Sequence, residues 1–191
     1  MRILVAYATR HGATAGIAER IGEVLRARGH EVVVEPARIA NATGGFGAYV
    51  VGSAAYMGSW LKEATEFVRS HAIELADRPT WLFSSGPIGT EQVDKSGRPV
   101  IETSVPREFG ELGPRIHARD RKVFFGAYDP DEPPVGLAER LAAPFMRRGV
   151  IHDAAAGDFR DWPEIEAWAG EIGDALDAER GAVAGAVAAG A

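Results

Sequence analysis

The chain has 191 residues, no cysteine, and 21 basic against 27 acidic side chains, for a formal net charge of −6. With 46% hydrophobic and 25% charged residues it has the length and composition of one soluble domain, not of a disordered, collagen-like or coiled-coil chain. Lack of cysteine excludes a disulfide scaffold, an iron–sulfur cluster, a cysteine nucleophile and cysteine-ligated zinc, and the acidic balance argues against binding nucleic acid.

Residues 2 to 7 form a short apolar run that reads as a first strand. Arg2 before Ile3-Leu4-Val5-Ala6 lacks the layout of a signal peptide. Residues 8 to 14 are small and polar. From Ala15 to Arg28, Ile17, Ile21, Val24 and Leu25 share one helical face, and Gly29 ends the helix. Glu31 to Glu35 is a second strand, so the chain opens strand, loop, helix, strand, which calls for a parallel pair with a crossover helix.

The pattern repeats. Ala48 to Ser53 is a third strand, apolar throughout as a central parallel strand should be. A loop, Ala54 to Ser59, precedes a helix from about Trp60 to His71. Thr80 to Ser84 is a fourth strand and Lys122 to Ala127 a fifth. The connection from Gly86 to Pro106 is long and polar, with a short helix expected near Val105 to Leu112. Asp129 to Pro134 reads as a stiff acidic loop and Val135 to Arg148 as a helix. A last helix spans about Trp162 to Glu179, with Asp161 as its N-cap and Pro163 in its first turn. The expected fold is a doubly wound α/β sandwich of three layers, with a five-stranded parallel sheet and helices on both faces. Residues 1 to 180 would form the domain, and the Gly/Ala/Val segment 181 to 191 a flexible tail.

No apolar run reaches the roughly 18 to 20 residues of a membrane span. The expected location is the cytoplasm, with peripheral contact at the inner face of the membrane compatible with it. Histidines 11, 30, 71, 117 and 152 are dispersed and show no metal-ligand spacing. No nucleophile elbow, paired carboxylates or zinc-protease motif is present, so no catalytic side chain is named.

The informative segment is Thr9-Arg10-His11-Gly12-Ala13-Thr14, directly between strand one and helix one. A helix N-terminus there presents free N–H groups to an anion, the threonine hydroxyls can donate, and Gly12 lets the backbone come close. The segment lacks both the Gly-Lys-Ser/Thr of a nucleotide P-loop and the Gly-x-Gly-x-x-Gly of a dinucleotide site. By itself it reads equally well as a phosphate cradle or as a polar turn with a threonine cap. Two further strand ends meet the same sheet edge. One is Ser53-Ala54-Ala55-Tyr56-Met57-Gly58, and the other is Ser84-Ser85-Gly86-Pro87. Tyr56 reads as a stacking wall for a flat ligand or as surface packing; Trp60 and Trp81 read as core.

The segment Thr9 to Thr14 resembles the Ser/Thr-x-Thr-Gly-x-Thr loop with which flavodoxins wrap the phosphate of FMN, with His11 where that family has threonine. It is more similar to the branch of menaquinone-dependent protoporphyrinogen IX dehydrogenases, whose loop reads Ser-Thr-Arg-Asp-Gly-x-Thr. Val50-Val51-Gly52-Ser53-Ala54-Ala55-Tyr56-Met57-Gly58, Phe125-Gly126-Ala127 and Asp161-Trp162 also resemble that branch, and the likeness runs over about residues 1 to 178. The resemblance implies the flavodoxin-like strand order 2-1-3-4-5 and an FMN-dependent oxidoreductase with a redox partner or small-molecule donor, a porphyrinogen, and a quinone as acceptor. The three segments named above would hold the cofactor. A net charge of −6 suits instead a flavodoxin-type electron carrier with no substrate of its own. A receiver domain of the same fold is excluded, because strand one ends in Tyr7-Ala8-Thr9 without the acidic pair a receiver needs.

Overall fold

The computed structural model describes residues 1–129 and 156–189, and the side chains of that range up to residue 182. Five parallel strands form the central sheet: β1 (Arg2–Ala8), β2 (Glu31–Pro36), β3 (Ala48–Tyr56), β5 (Thr80–Ser85) and β6 (Asp120–Phe124). Their order is β2-β1-β3-β5-β6, the expected order once the short β4 (Ser59–Trp60) is counted, which pairs antiparallel with β3. Helix α1 (Ala13–Ala27) crosses from β1 to β2; α2 (Lys62–Ser70) and α3 (Ala72–Ala76) connect β4 to β5. Between β5 and β6 lie α4 (Val100–Thr103), α5 (Arg107–Leu112) and a 3-10 turn at Pro114–Ile116. A two-stranded pair, β7 (Ala127–Tyr128) with β8 (Gly157–Asp158), precedes the last helix, α6 (Trp162–Ala189).

Alternation along the strands sorts the core into two layers. Ile3 and Val5 of β1, with Val50, Trp81, Phe83 and Phe124, face Ile17, Ile21 and Leu25 of α1 and Ile165, Trp168 and Ile172 of α6. Leu4 and Ala6, with Val51 and Leu82, face Phe67 and Val68 of α2, Leu75 of α3, and Phe109 and Leu112 of α5. Apolar burial on both faces is why the central strands are continuous hydrophobic runs. Across the α1–α6 seam, Arg20 pairs with Glu166 at 2.6 Å and Arg28 with Asp174 at 2.6 Å. These exposed pairs set alignment more than stability, at about 0–1 kcal/mol each.

Several boundaries differ from the sequence expectation. The segment Ala54–Ser59 is not a loop: β3 runs on to Tyr56 and turns back through Met57-Gly58 into β4. Both turn residues have positive φ, 51° and 74°, as a two-residue hairpin requires. Helix α2 therefore begins at Lys62, after the hairpin, instead of at Trp60. The fifth parallel strand is shifted to Asp120–Phe124, and Ala127 belongs to the separate β7–β8 pair. The last helix does not end at Glu179 but continues to Ala189. Alanines at 182, 184, 186, 188 and 189 are strong helix formers, and lengthening an existing helix needs no new nucleus. Asp161 caps it as expected, its Oδ1 accepting from Glu164 N at 3.0 Å. The acidic loop beyond Asp129, the helix Val135–Arg148 and His152 lie outside the described residues. Among the described residues no helix is long and apolar enough to cross a membrane.

At the end of the sheet remote from the strands' carboxyl edge, His30 is buried just before β2. Neither ring nitrogen has a hydrogen-bond partner among the described residues, and Asp177 Oδ1 lies 3.8 Å away. Burial holds the His30 pKa below 6.5, with help from the N-terminal amine, Arg180 and Arg28 and against the pull of Asp177. The unfolded chain thus binds this proton more readily than the folded one. The contribution is complete above about pH 6.5 and is lost as pH falls toward the depressed folded value. We expect the thermal midpoint to drop from pH 7.5 to 5.5 more in the native chain than in His30→Leu. Equal drops would show that His30 plays no part.

Candidate functional site

Three segments converge at the carboxyl edge of β1, β3 and β5. The first is the turn from β1 into α1. Gly12 occupies the N-cap position in the left-handed region, with φ 77° and ψ −16°. As a glycine, the N-cap residue supplies no side-chain cap, and no acidic residue lies in the first turn of the helix. Gly12, not a threonine, holds the N-cap position, so the threonine cap of the polar-turn alternative is not formed. The first N–H groups of α1 are left pointing out of the helix, beside its positive dipole end. A Cβ added at Gly12 would meet nothing within 4 Å, so the glycine serves its backbone conformation and leaves the approach open. Thr14 is buried, and its hydroxyl lies 2.7 Å from the Ser85 hydroxyl, which ties the first segment to the third. Thr9, Arg10, His11 and Ala13 are partly exposed along the turn.

The second segment is the β3–β4 hairpin. Ala54 and Ala55 are half-buried, whereas Tyr56, Met57 and Gly58 are exposed at its tip. The Arg10 guanidinium lies over the Tyr56 ring at 4.8 Å, so the first and second segments touch. The hairpin is gripped from behind by α5. Trp60 N donates to Glu108 Oε2 at 3.0 Å, Arg107 N donates to Gly58 O at 3.1 Å, and the Trp60 and Phe109 rings meet edge to face at 5.6 Å. Glu108 is only 3% exposed.

The third segment leaves β5. Ser84 and Ser85 are buried, Gly86 is half-buried and Pro87 is buried. Ser53 and Ser84 turn their hydroxyls into the fold. Ser53 Oγ accepts from Leu61 N at 3.0 Å, and Ser84 Oγ donates to Ser53 O at 3.3 Å. Gly86 packs so near β3 that an added Cβ would sit 3.3 Å from the Ala55 Cβ. Its N–H donates to Phe124 O, and Pro87 O accepts from Gly126 N at 2.8 Å. An open cleft of about 530 Å3 borders the first segment, lined by His11, Gly12, Ala13, Tyr128, Asp158 and Arg160 among others.

The model for the flavodoxin domain matches residues 4–147. The chain belongs to the flavodoxin domain family. Among solved structures, the rubredoxin oxygen:oxidoreductase of Desulfovibrio gigas superposes with a TM-score of 0.56 at 13% identity. The match covers 93% of this chain and 36% of that one. A flavodoxin from the domain Archaea matches at 16% identity over 78% of this chain and 98% of its own, with a TM-score of 0.48. Flavodoxin 2 of Bacillus cereus matches at 23% identity over 76% and 94%, with a TM-score of 0.47. At these identities the likeness is one of fold. No curated protein matches the sequence.

FMN is the cofactor of the flavodoxin domain. The residues present fit it. The start of α1 behind a left-handed glycine suits a phosphate, and the exposed hairpin tip Tyr56–Gly58 beside the half-buried Gly86 suits the edge of a flat ring. All three segments marked in the sequence do come together at one edge. Three residues that sequence reasoning missed also belong to this edge: Arg107 and Glu108, which hold the hairpin, and Arg160, which borders the turn. A charged residue in a short polar stretch carries no local mark of burial, so their roles depend on contacts far along the chain.

Proposed function

We propose that this flavodoxin domain is an FMN-dependent oxidoreductase of the protoporphyrinogen IX dehydrogenase type, taking electrons from a porphyrinogen and passing them to a quinone. The observation that carries the cofactor site is the uncapped N-terminus of α1 inside the Thr9–Thr14 turn. In this reading the N–H groups of Gly12, Ala13 and Thr14 hold the phosphate, with Thr9, Arg10 and His11 around it. The edges of Ser53–Gly58 and Ser84–Pro87 flank the ring, through backbone groups at Ser53 and Ser84 because their hydroxyls are engaged inside the fold. Bound FMN supplies the redox centre, and the polypeptide binds it, orients it and limits access. The Thr-Arg-x-Gly-x-Thr loop supports the dehydrogenase type. Meeting a quinone would bring the protein to the inner face of the membrane as a peripheral visitor.

A net charge of −6 favours a second reading, an electron carrier that docks a redox protein and has no substrate of its own. Reconstitution with FMN followed by anaerobic assay separates the two. Turnover of protoporphyrinogen IX with a menaquinone analogue supports the first. Electron delivery to a redox protein with no porphyrinogen turnover supports the second. The site itself is tested by Thr14→Ala. Loss of the buried Thr14–Ser85 link, which ties the phosphate turn to the third segment and is worth roughly 0.5–1.5 kcal/mol, should raise the FMN dissociation constant about 2- to 10-fold. An unchanged constant would mean that the cofactor lies elsewhere.

A further inference from the structure

Arg160 occupies an unusual place. Its Nη1 donates to the Ala13 carbonyl, in the first turn of α1, at 3.2 Å. Asp158 grips the other side of the guanidinium as a fork: Nε donates to Oδ1 at 2.7 Å and Nη2 to Oδ2 at 2.7 Å. The Arg160 backbone N–H adds a bond to Asp158 Oδ1 at 3.1 Å, and the Trp162 ring lies 4.4 Å beneath the cation. The clip is tight from the helix side as well. Any Cβ at Gly16 would collide with Arg160 Nη1, so a glycine one turn into α1 makes room for it. The side chain is 17% exposed and borders the cleft beside His11, Gly12 and Ala13.

A cation at a helix N-terminus sits at the wrong end of the dipole. Favourable placement there needs negative charge close by, and no acidic residue lies in the first turn of α1. Asp158 supplies the carboxylate that Arg160 binds, its pKa held below 3.8 chiefly by the hydrogen bond from Arg160, and Asp129 is a second acidic residue lining the same cleft. The arrangement leaves the positive face of a fixed ion pair against the turn that would receive a dianion. The β7–β8 pairing, in which Asp158 lies opposite Ala127, holds Asp158 in place from outside the parallel sheet.

We propose that Arg160, clipped by Asp158, is a positioning residue that makes the Thr9–Thr14 turn select a phosphorylated flavin over an uncharged one. It acts by fixing the Ala13 carbonyl, and with it the first N–H groups of α1, and by adding positive charge at the mouth of the turn. The inference rests on the FMN site proposed above.

The test compares FMN with riboflavin, which carries the same ring without the phosphate. Dissociation constants are measured by flavin fluorescence for the native chain, Arg160→Ala, Arg160→Lys and Asp158→Asn, with circular dichroism of each apoprotein. Arg160→Ala should weaken FMN about tenfold or more and leave riboflavin unchanged. Arg160→Lys should recover part of the loss, because it keeps the charge without the fork, and so keeps the test valid if the alanine variant fails to fold. Asp158→Asn should fall between. Equal loss of both flavins would mean a merely structural role and overturn the inference, as would unchanged FMN binding. A native chain that binds no FMN would overturn the site reading together with the inference, whereas failure at Arg160 alone leaves the site standing.

Discussion

Replacing Gly52 with alanine should destabilise the fold by about 3 kcal/mol, near the upper end of ordinary overpacking. Gly52 sits in the middle of β3, paired with Tyr7 of β1 on one side and Phe83 of β5 on the other. A Cβ built there lands inside the Phe83 ring. That ring has nowhere to go: it is fully buried, and Phe124 and Trp168 each lie 6.3 Å from its centroid. Trp168 is in turn anchored by its Nε1, which donates to Asp120 Oδ2 at 2.7 Å. Relief therefore requires movement of β6 or α6. For a chain of this size the melting temperature should fall by roughly 6–12 °C. The double variant Gly52→Ala with Phe83→Leu should cost less than the sum of the single changes, since the smaller side chain vacates the clash. Simple additivity would show that the ring is not what the glycine accommodates.

Glu108→Ala should cost about 2–3 kcal/mol and loosen the cofactor site at the same time. The carboxylate is buried and accepts the Trp60 N–H, so its removal orphans a donor that water cannot reach. Arg107, whose Nε donates to Glu108 Oε1 at 3.2 Å, has a side chain 74% exposed and can be rehydrated, so the lost ion pair adds little. Glu108→Gln keeps an acceptor oxygen for Trp60 and should recover most of the loss. Melting temperatures of the three proteins decide the matter: a glutamine variant as unstable as the alanine one would mean that charge, not the hydrogen bond, is what α5 contributes. Because the same bond sets the hairpin that carries Tyr56, Met57 and Gly58, FMN affinity should follow stability in this series.

Much of the architecture was legible because local patterns and tertiary demands agree. Ile3, Val5, Val50 and Phe83 alternate with residues that face the other layer, and both layers are apolar, so strand runs stand out against helical spacing such as Ile17-Ile21-Leu25. The hairpin was not legible. Ser53 to Gly58 mixes small residues with Tyr56 and Met57 and has no strand alternation, and a methionine at φ 51° is no turn signal; only pairing of Ala55 with Trp60 and the grip of Glu108 make it a strand. The last helix reads short because residues 181 to 191 are only Gly, Ala and Val, which suggests a frayed tail, while its alanines extend an already nucleated helix.

The cofactor turn divides along the same line. The residue types of Thr9 to Thr14, between a strand and a helix, marked it as a place for an anion, because that chemistry depends on local backbone geometry and on a glycine. The sequence could not choose between a phosphate cradle and a capped turn. In the fold Gly12, not a threonine, takes the N-cap position of α1, and Thr14, inside the helix, turns its hydroxyl to Ser85, 71 positions away. Periodicity and strand composition determined the doubly wound α/β class by themselves, since both are written in neighbouring residues, and the strand order followed from the family resemblance. The tertiary structure alone decided which hydroxyls are spent, which buried acid holds the hairpin and which arginine meets the turn. Those outcomes rest on hydrogen bonds between residues tens to more than a hundred positions apart, whose partners only the folded chain brings within 3.3 Å.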